Sequence, residues 1–145
     1  MSMKMTKAER EAFLADVHVA VISVDDPGRG PLTMPVWYRY EPGGDVCFTT
    51  GGDSRKAALL KAAGQISLCV QTETAPYKYV SIEGPITIGT PEYERDSRAV
   101  AHRYLGERGG DAYLRATGGG ESATSVLVQL RPERWLTVDY GKSFG

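Results

Sequence analysis

Two cations, Arg55 and Lys56, follow Ser54 in the first turn of a run of strong helix formers, Arg55 to Ala63, directly after the turn Gly51-Gly52. Positive side chains there oppose the positive end of the helix dipole, at roughly 0.3 to 1 kcal/mol each. Something negative has to balance them. Free backbone amides at a helix start, a serine hydroxyl and two adjacent cations together make a phosphate-binding arrangement. An internal solution meets the same requirement: Asp53 caps the helix and neutralises Arg55 or Lys56, and both side chains point to water. The residues alone leave both open.

A second group is aromatic: Trp37, Tyr38 and Tyr40 on one extended segment, Tyr77 and Tyr79 on another, and Trp135 and Tyr140 near the end. Such rings can sandwich a planar ligand and offer it polar edges. The same alternation also suits core or interface filling. His18 and His102 lie far apart with no cysteine or carboxylate at metal-ligand spacing, so both read as structural, with no metal site and no triad. Cys47 and Cys69 sit in apolar strand-like runs, where cysteine behaves as a small buried hydrophobe. Gly118-Gly119-Gly120 and Gly51-Gly52 match neither the dinucleotide fingerprint nor the P-loop and read as turns. Glu92, Glu94, Arg95, Asp96 and Arg98 read as the solvated face of a helix.

The 145 residues fit one domain, spanning 1–145. A hydrophobic share of 41% beside 24% charged residues is the balance of a water-soluble globule, and no apolar run approaches the length of a spanning helix. The N-terminal residues show no export signal, so a cytoplasmic location is expected. With a net charge of −1 there is no basic field to draw nucleic acid, and any anion site must be local.

The elements that must position these residues follow from turn and cap chemistry. Thr6-Lys7-Ala8-Glu9 has the form of a capping box, predicting a helix that ends near Asp16. Strands are predicted over His18 to Val24, Leu32 to Tyr40 and Val46 to Thr50, the first two joined as a hairpin by Asp25 to Gly30. The helix Arg55 to Ala63 is closed by Gly64. Strands Ile66 to Gln71 and Tyr77 to Gly89 follow, the second bending at Gly84-Pro85. Thr90-Pro91-Glu92 predicts a helix start, with Thr90 as its cap, running to about Leu105. Gly106 to Gly120 reads as a long loop containing one helical turn, and Ser125 to Leu130 and Arg134 to Val138 as the last strands. The expected class is mainly β, a barrel of about seven antiparallel strands with three peripheral helices.

In this order the elements resemble the pyridoxamine 5'-phosphate oxidase-like split β-barrels, and among them the mycobacterial-type flavin/deazaflavin oxidoreductases of the B group. The resemblance rests on Pro31-Leu32-Thr33-Met34-Pro35-Val36-Trp37-Tyr38 before a Pro-Gly turn, on Ser54-Arg55-Lys56 opening a helix, and on Tyr77-Lys78-Tyr79-Val80-Ser81-Ile82-Glu83-Gly84. It covers about Thr6 to Tyr140. It implies a homodimer with the cofactor ring in a groove between two barrels. Ser54, Arg55 and Lys56 would then bind phosphate, Met34, Pro35, Val36 and Trp37 would line the ring, and Thr49 and Thr50 would approach the ring or its ribityl chain. Tyr77, Lys78 and Tyr79, with Trp135 and Tyr140, would come from the partner subunit or the groove edge.

The implied activity is hydride transfer between the deazaflavin coenzyme F420 and a small conjugated organic substrate. Lys61, Lys78, Arg103, Arg108 and Arg115 would offer basic surface to its polyglutamate tail. The alternatives are an FMN-dependent oxidase or reductase, or a flavin-, deazaflavin- or tetrapyrrole-binding protein without catalysis. No catalytic acid or base is assigned, because the cofactor itself carries the hydride chemistry.

Overall fold

Thr6 opens helix α1 (Lys7–Ala15) with a complete capping box: its hydroxyl accepts from the Glu9 N–H at 3.1 Å, and Glu9 Oε1 accepts from the Thr6 N–H at 2.8 Å. Lys142 Nζ donates to the same carboxylate oxygen at 2.6 Å. The Lys142 and Thr6 hydrogen bonds hold the Glu9 carboxyl down at about 2. The helix buries Phe13 and Leu14, which fixes how α1 lies on the sheet. Thr6→Ala removes the hydroxyl half of the box and leaves the backbone N–H of residue 6 bonded to Glu9, and the expected cost is about 1 kcal/mol, or roughly 2 to 4 °C in a thermal melt. A melt unchanged within error would show that burial of Phe13 and Leu14 alone sets the helix.

The computed structural model describes residues 2–119 and 124–143. Seven strands form one curled antiparallel sheet: β1 (Ala20–Val24), β2 (Leu32–Val36), β3 (Val46–Thr50), β4 (Gln65–Gln71), β5 (Lys78–Gly89), β6 (Val126–Leu130) and β7 (Arg134–Asp139). Their order is β2-β1-β4-β5-β6-β3, with β7 also paired to β5. β5 bends at Gly84-Pro85, so that its first part pairs with β4 and β7 and its last residues with β6. The two edge strands meet where Arg39 and Cys47 exchange backbone hydrogen bonds of 2.9 and 3.0 Å. This is the half-open, curled sheet of a split barrel, with α1, α2 (Arg55–Ala63) and α3 (Ala99–Ala116) packed around it.

Alternation sets the two faces. On β4, Ile66, Leu68 and Val70 are buried while Gln65 and Gln71 are exposed. Ile22, Leu68, Val80, Ile82 and Val128 fill the interior together with Leu14, Tyr38 and Leu60. On the outer face the register lines up Val21, Cys69, Ser81 and Leu136 in one row across four strands. Val21 is 45% and Leu136 59% exposed, so this row is an uncovered apolar strip.

Three expectations need correction. The second strand stops at Val36, and Trp37 to Tyr40 continue only as far as the single bridge at Arg39. Thr90 caps nothing: the third helix is entered through a π-helical turn, Tyr93–Arg98, which has no side-chain cap and passes straight into α3. The stretch after Gly106 is helix rather than loop, continuing to Ala116, with the break confined to Gly106. Gly120 lies outside the described residues.

Candidate functional site

Ser54 settles the question of what caps α2. Its hydroxyl accepts from the Ala57 N–H at 3.1 Å and donates to the Gly51 carbonyl at 2.7 Å, so Ser54 rather than Asp53 is the cap. Gly64 closes the helix in the left-handed conformation, with φ 71°. Arg55 forms an ion pair with Asp26, a carboxylate buried in the turn after β1. The balancing charge that the helix start demands is therefore partly internal, though supplied from 29 positions away rather than by the neighbouring Asp53.

Lys56 is different. It is half-buried, and among the described residues its ammonium has no ion pair or hydrogen bond. Burial pushes its pKa down from the usual lysine value. It lines a cavity of about 330 Å³ whose walls include Pro35, Val36, Trp37, Thr49 and Thr50. The floor of that cavity comes from the π-helical turn, through Asp96 and Ser97, and from both ends of α3, through Ala101 and Tyr113.

Trp37 forms the aromatic wall. Its ring lies parallel to Tyr104, with centroids 4.9 Å apart and planes 6° from parallel. Tyr104 is itself fixed: its hydroxyl donates to the His18 carbonyl at 2.6 Å and accepts from the Tyr38 N–H at 3.1 Å. Tyr38 is wholly buried and donates to the Leu14 carbonyl at 2.7 Å, which makes it a core residue. Trp135 packs against the core under the Arg10 guanidinium, 4.4 Å from its ring centroid.

Asp96 was read from the sequence as solvated, and the structure buries it at 4% exposure. Its carboxylate accepts from Arg39 Nε at 2.9 Å, Arg95 Nη2 at 2.9 Å and the Glu92 N–H at 2.7 Å. Burial pushes the carboxyl up, but the bonds from Arg95, Glu92 and Arg39 outweigh it and hold the group below the usual range. With its oxygens committed to these donors, Asp96 braces the cavity floor and is not a free base. A π-turn at such a place is a frequent companion of binding sites.

Of the residues singled out in the sequence, the cavity brings together Pro35, Val36, Trp37, Thr49, Thr50 and Lys56. Met34, on the same face of β2 as Val36 but two residues further from Trp37, packs against the core and does not line the cavity. Ser54 and Arg55 stand beside the cavity with their polar atoms engaged as above. Tyr77 is exposed, and Lys78 and Tyr79 pair with Asp139 and Val138 at the far end of β5, away from Lys56. His18 stacks on Phe13, and His102 pairs with Asp111, a partner the sequence did not suggest. No cluster of histidine, cysteine and carboxylate able to hold a metal exists among the described residues. No helix among them is long and apolar enough to cross a membrane. A larger groove of about 640 Å³ near Asp25, Glu83, Glu133 and Arg134 is mainly acidic and contains none of the expected site residues.

The cavity thus offers an uncommitted cation, two threonines and an aromatic wall. These suit a planar ring that carries a phosphate.

Comparison with known proteins agrees with the fold. The profile of the pyridoxamine 5'-phosphate oxidase family matches residues 6–139. No curated protein matches the chain. Among solved structures, the conserved hypothetical protein Rv2991 from Mycobacterium tuberculosis is similar with a TM-score of 0.80 at 21% identity, covering 99% of this chain and 90% of that one. An F420 reductase is similar with a TM-score of 0.61 at 19% identity, covering 87% and 94%. An FAD-binding protein from Mesorhizobium loti has a TM-score of 0.64 at 15% identity, covering 92% and 94%. At these identities the structural likenesses speak for the fold, and the profile, running through nearly all of the chain, speaks for the lineage: this chain belongs to the pyridoxamine 5'-phosphate oxidase family of split-barrel proteins.

Proposed function

We propose that this protein is an oxidoreductase that holds the deazaflavin coenzyme F420 in the Trp37–Lys56 cavity and passes hydride between it and a small conjugated organic substrate. One observation carries the reading: an unpartnered, half-buried ammonium at the start of α2 faces the same cavity as the Trp37 ring. An isolated cation in such a place costs stability unless an anion completes it. Lys56, with Arg55 released from Asp26 and the first amides of α2, would take the phosphate. Pro35, Val36 and Trp37 would lie along the ring, and Thr49 and Thr50 would meet its polar edge or side chain. The coenzyme supplies the hydride chemistry, and the chain supplies orientation and exclusion of water.

In this proposal the protein works as a homodimer. The apolar row Val21, Cys69 and Leu136 is the face that a second copy would cover. Tyr77, Lys78 and Tyr79, remote from the cavity of their own chain, would reach the cofactor of the partner. Light scattering of the purified protein should give twice the chain mass, and a monomer at micromolar concentration would remove this part of the proposal.

FMN is the second reading, and a specific observation favours it. The cations that would receive a polyglutamate tail are dispersed: Arg103 is committed to the Ala15 and Asp16 carbonyls, and Arg108 and Arg115 share a separate groove with Glu107 and Asp111. Lys56, with Arg55 and the first amides of α2, would meet the needs of a single phosphate. Titration with F420 and, separately, with FMN, followed by chromophore fluorescence, decides between them. Tighter F420 binding, with turnover of a conjugated substrate by the reduced coenzyme, supports the proposal. FMN preference moves the assignment to the second reading, binding without turnover makes the protein a carrier, and binding of neither overturns both.

A further inference from the structure

Helix α3 is two helices in one. Gly106 has φ 77° and ψ 173°, a backbone conformation essentially reserved for glycine, and it separates residues 99–105 from an arm, 107–116. Ala101, before the break, and Tyr113 and Leu114, after it, line the same cavity, so the break lies between two of its walls.

The arm is held by the buried Leu114 and by three contacts at His102 and Trp37. His102 Nε2 and Asp111 Oδ1 are 2.7 Å apart across the break, the one side-chain hydrogen bond among the described residues that joins the two parts of α3. Beside it Gly110 is pressed so closely on His102 that a Cβ would overlap the imidazole ring, which accounts for a glycine in mid-helix. At the far side the Tyr113 ring rests at 51° on Trp37, with centroids 5.2 Å apart. Tyr113 is 38% exposed, and its hydroxyl makes no hydrogen bond among the described residues. One face of Trp37 is thus covered by Tyr104, which is locked by two hydrogen bonds, and another part by Tyr113, which is not.

We propose that residues 107–116 are a hinged gate: the arm swings at Gly106, the His102–Asp111 pair latches it, and Tyr113 is the group that a planar conjugated ring displaces to reach Trp37. Tyr113 then selects what enters. A flat ring replaces its contact with Trp37 by an equivalent stack, whereas a non-planar molecule of the same size loses the contact and gains nothing for it. The kind of ligand admitted rests on the function proposed above, but the motion belongs to the free protein.

The test is therefore made without ligand. In hydrogen exchange followed by mass spectrometry, Asp111→Ala, at a half-exposed position, should speed exchange of peptides covering 107–116 about threefold to tenfold. Peptides from β4 and α2 should not change. In a Trp135→Phe background, where Trp37 is the only tryptophan, the same substitution should alter Trp37 emission as Tyr113 leaves it. Tyr113→Ala should alter that emission without speeding exchange in 99–105. Unchanged exchange in the arm, or acceleration spread evenly over the chain, would overturn the gate. Because neither readout contains a cofactor, failure of the gate leaves the cofactor assignment standing, and failure of the titration leaves the gate standing.

Discussion

Lys56→Met lowers the affinity for a phosphate-bearing flavin or deazaflavin about 100-fold, the equivalent of roughly 2.7 kcal/mol for a half-buried charge contact. The same substitution leaves the melting temperature unchanged or raises it by about 1 to 3 °C, since the shorter, uncharged thioether removes an unpaired charge from a partly desolvated cavity. The two effects have opposite signs for one reason. Burial lowers the Lys56 pKa from its model-compound value of 10.5, so the folded chain holds this proton less tightly than the unfolded chain does. Its charge is a cost at neutral pH, and stability rises as pH climbs from the depressed value toward 10.5. An anion in the cavity reverses the shift, and binding therefore weakens as pH rises through the pKa of the free protein. Fluorescence titration and a thermal melt on the same two samples check both halves. Lost stability with unchanged affinity would make Lys56 a structural residue.

Asp96→Ala should be the most damaging single change to the site. It removes the acceptor for Arg39, Arg95 and the Glu92 N–H at once and leaves the Arg39 guanidinium in a partly buried place without its carboxylate. Breaking such a pair from one side costs about 3 to 5 kcal/mol, or roughly 10 °C for a chain of this size. Asp96→Asn keeps the shape and one acceptor and should lose about half as much. The pH dependence has the sign of a depressed carboxyl: the contribution is complete above the ordinary aspartate pKa and is lost as pH falls through the lower folded value. Chemical denaturation at pH 7 and at pH 3 measures it. A loss below about 1 kcal/mol at pH 7 would mean that solvent already screens the group.

Why Asp96 escaped the sequence reading is instructive. Glu92, Glu94, Arg95, Asp96 and Arg98 mix both signs as a solvated helix face does, and that inference assumes a 3.6-residue period. The wider π-helical turn breaks the phase and carries one acid inward. Arg39, a charge lying between the buried tyrosines 38 and 40, was the available hint that a carboxylate must come from elsewhere. Distance hid the partner of Arg55 as well. Asp53 is adjacent and Asp26 is not, and no local rule favours the remote one. The Gly106 to Gly120 stretch misled through propensity, because Gly109 and Gly110 weaken any helix expectation, yet the packing of Gly110 on His102 requires that smallness. What was legible was local: the Thr6 capping box, the Gly64 terminus, the hairpin of β1 and β2, and the bend of β5. Of the cavity's walls, Lys56 and Trp37 drew notice from the residues themselves, Pro35, Val36, Thr49 and Thr50 only through the family resemblance, and the floor from 96 to 114 not at all, because tertiary contacts alone put it there.

The sheet order also governs how the chain is made. β3 follows β2 in sequence but lies at the opposite edge, where Val46 waits for Leu130 and Thr50 for Val126. During synthesis at about 5 to 20 residues per second, the apolar strand Val46 to Phe48 emerges several seconds before its partner. Over that interval its ladder groups stand open to other nascent chains, so crowded polysomes and slow elongation through residues 51–126 favour intermolecular pairing at β3. Sparse initiation, which spaces the ribosomes on a message, or a chaperone that shields this strand is expected to raise the soluble yield without altering a single contact of the finished barrel.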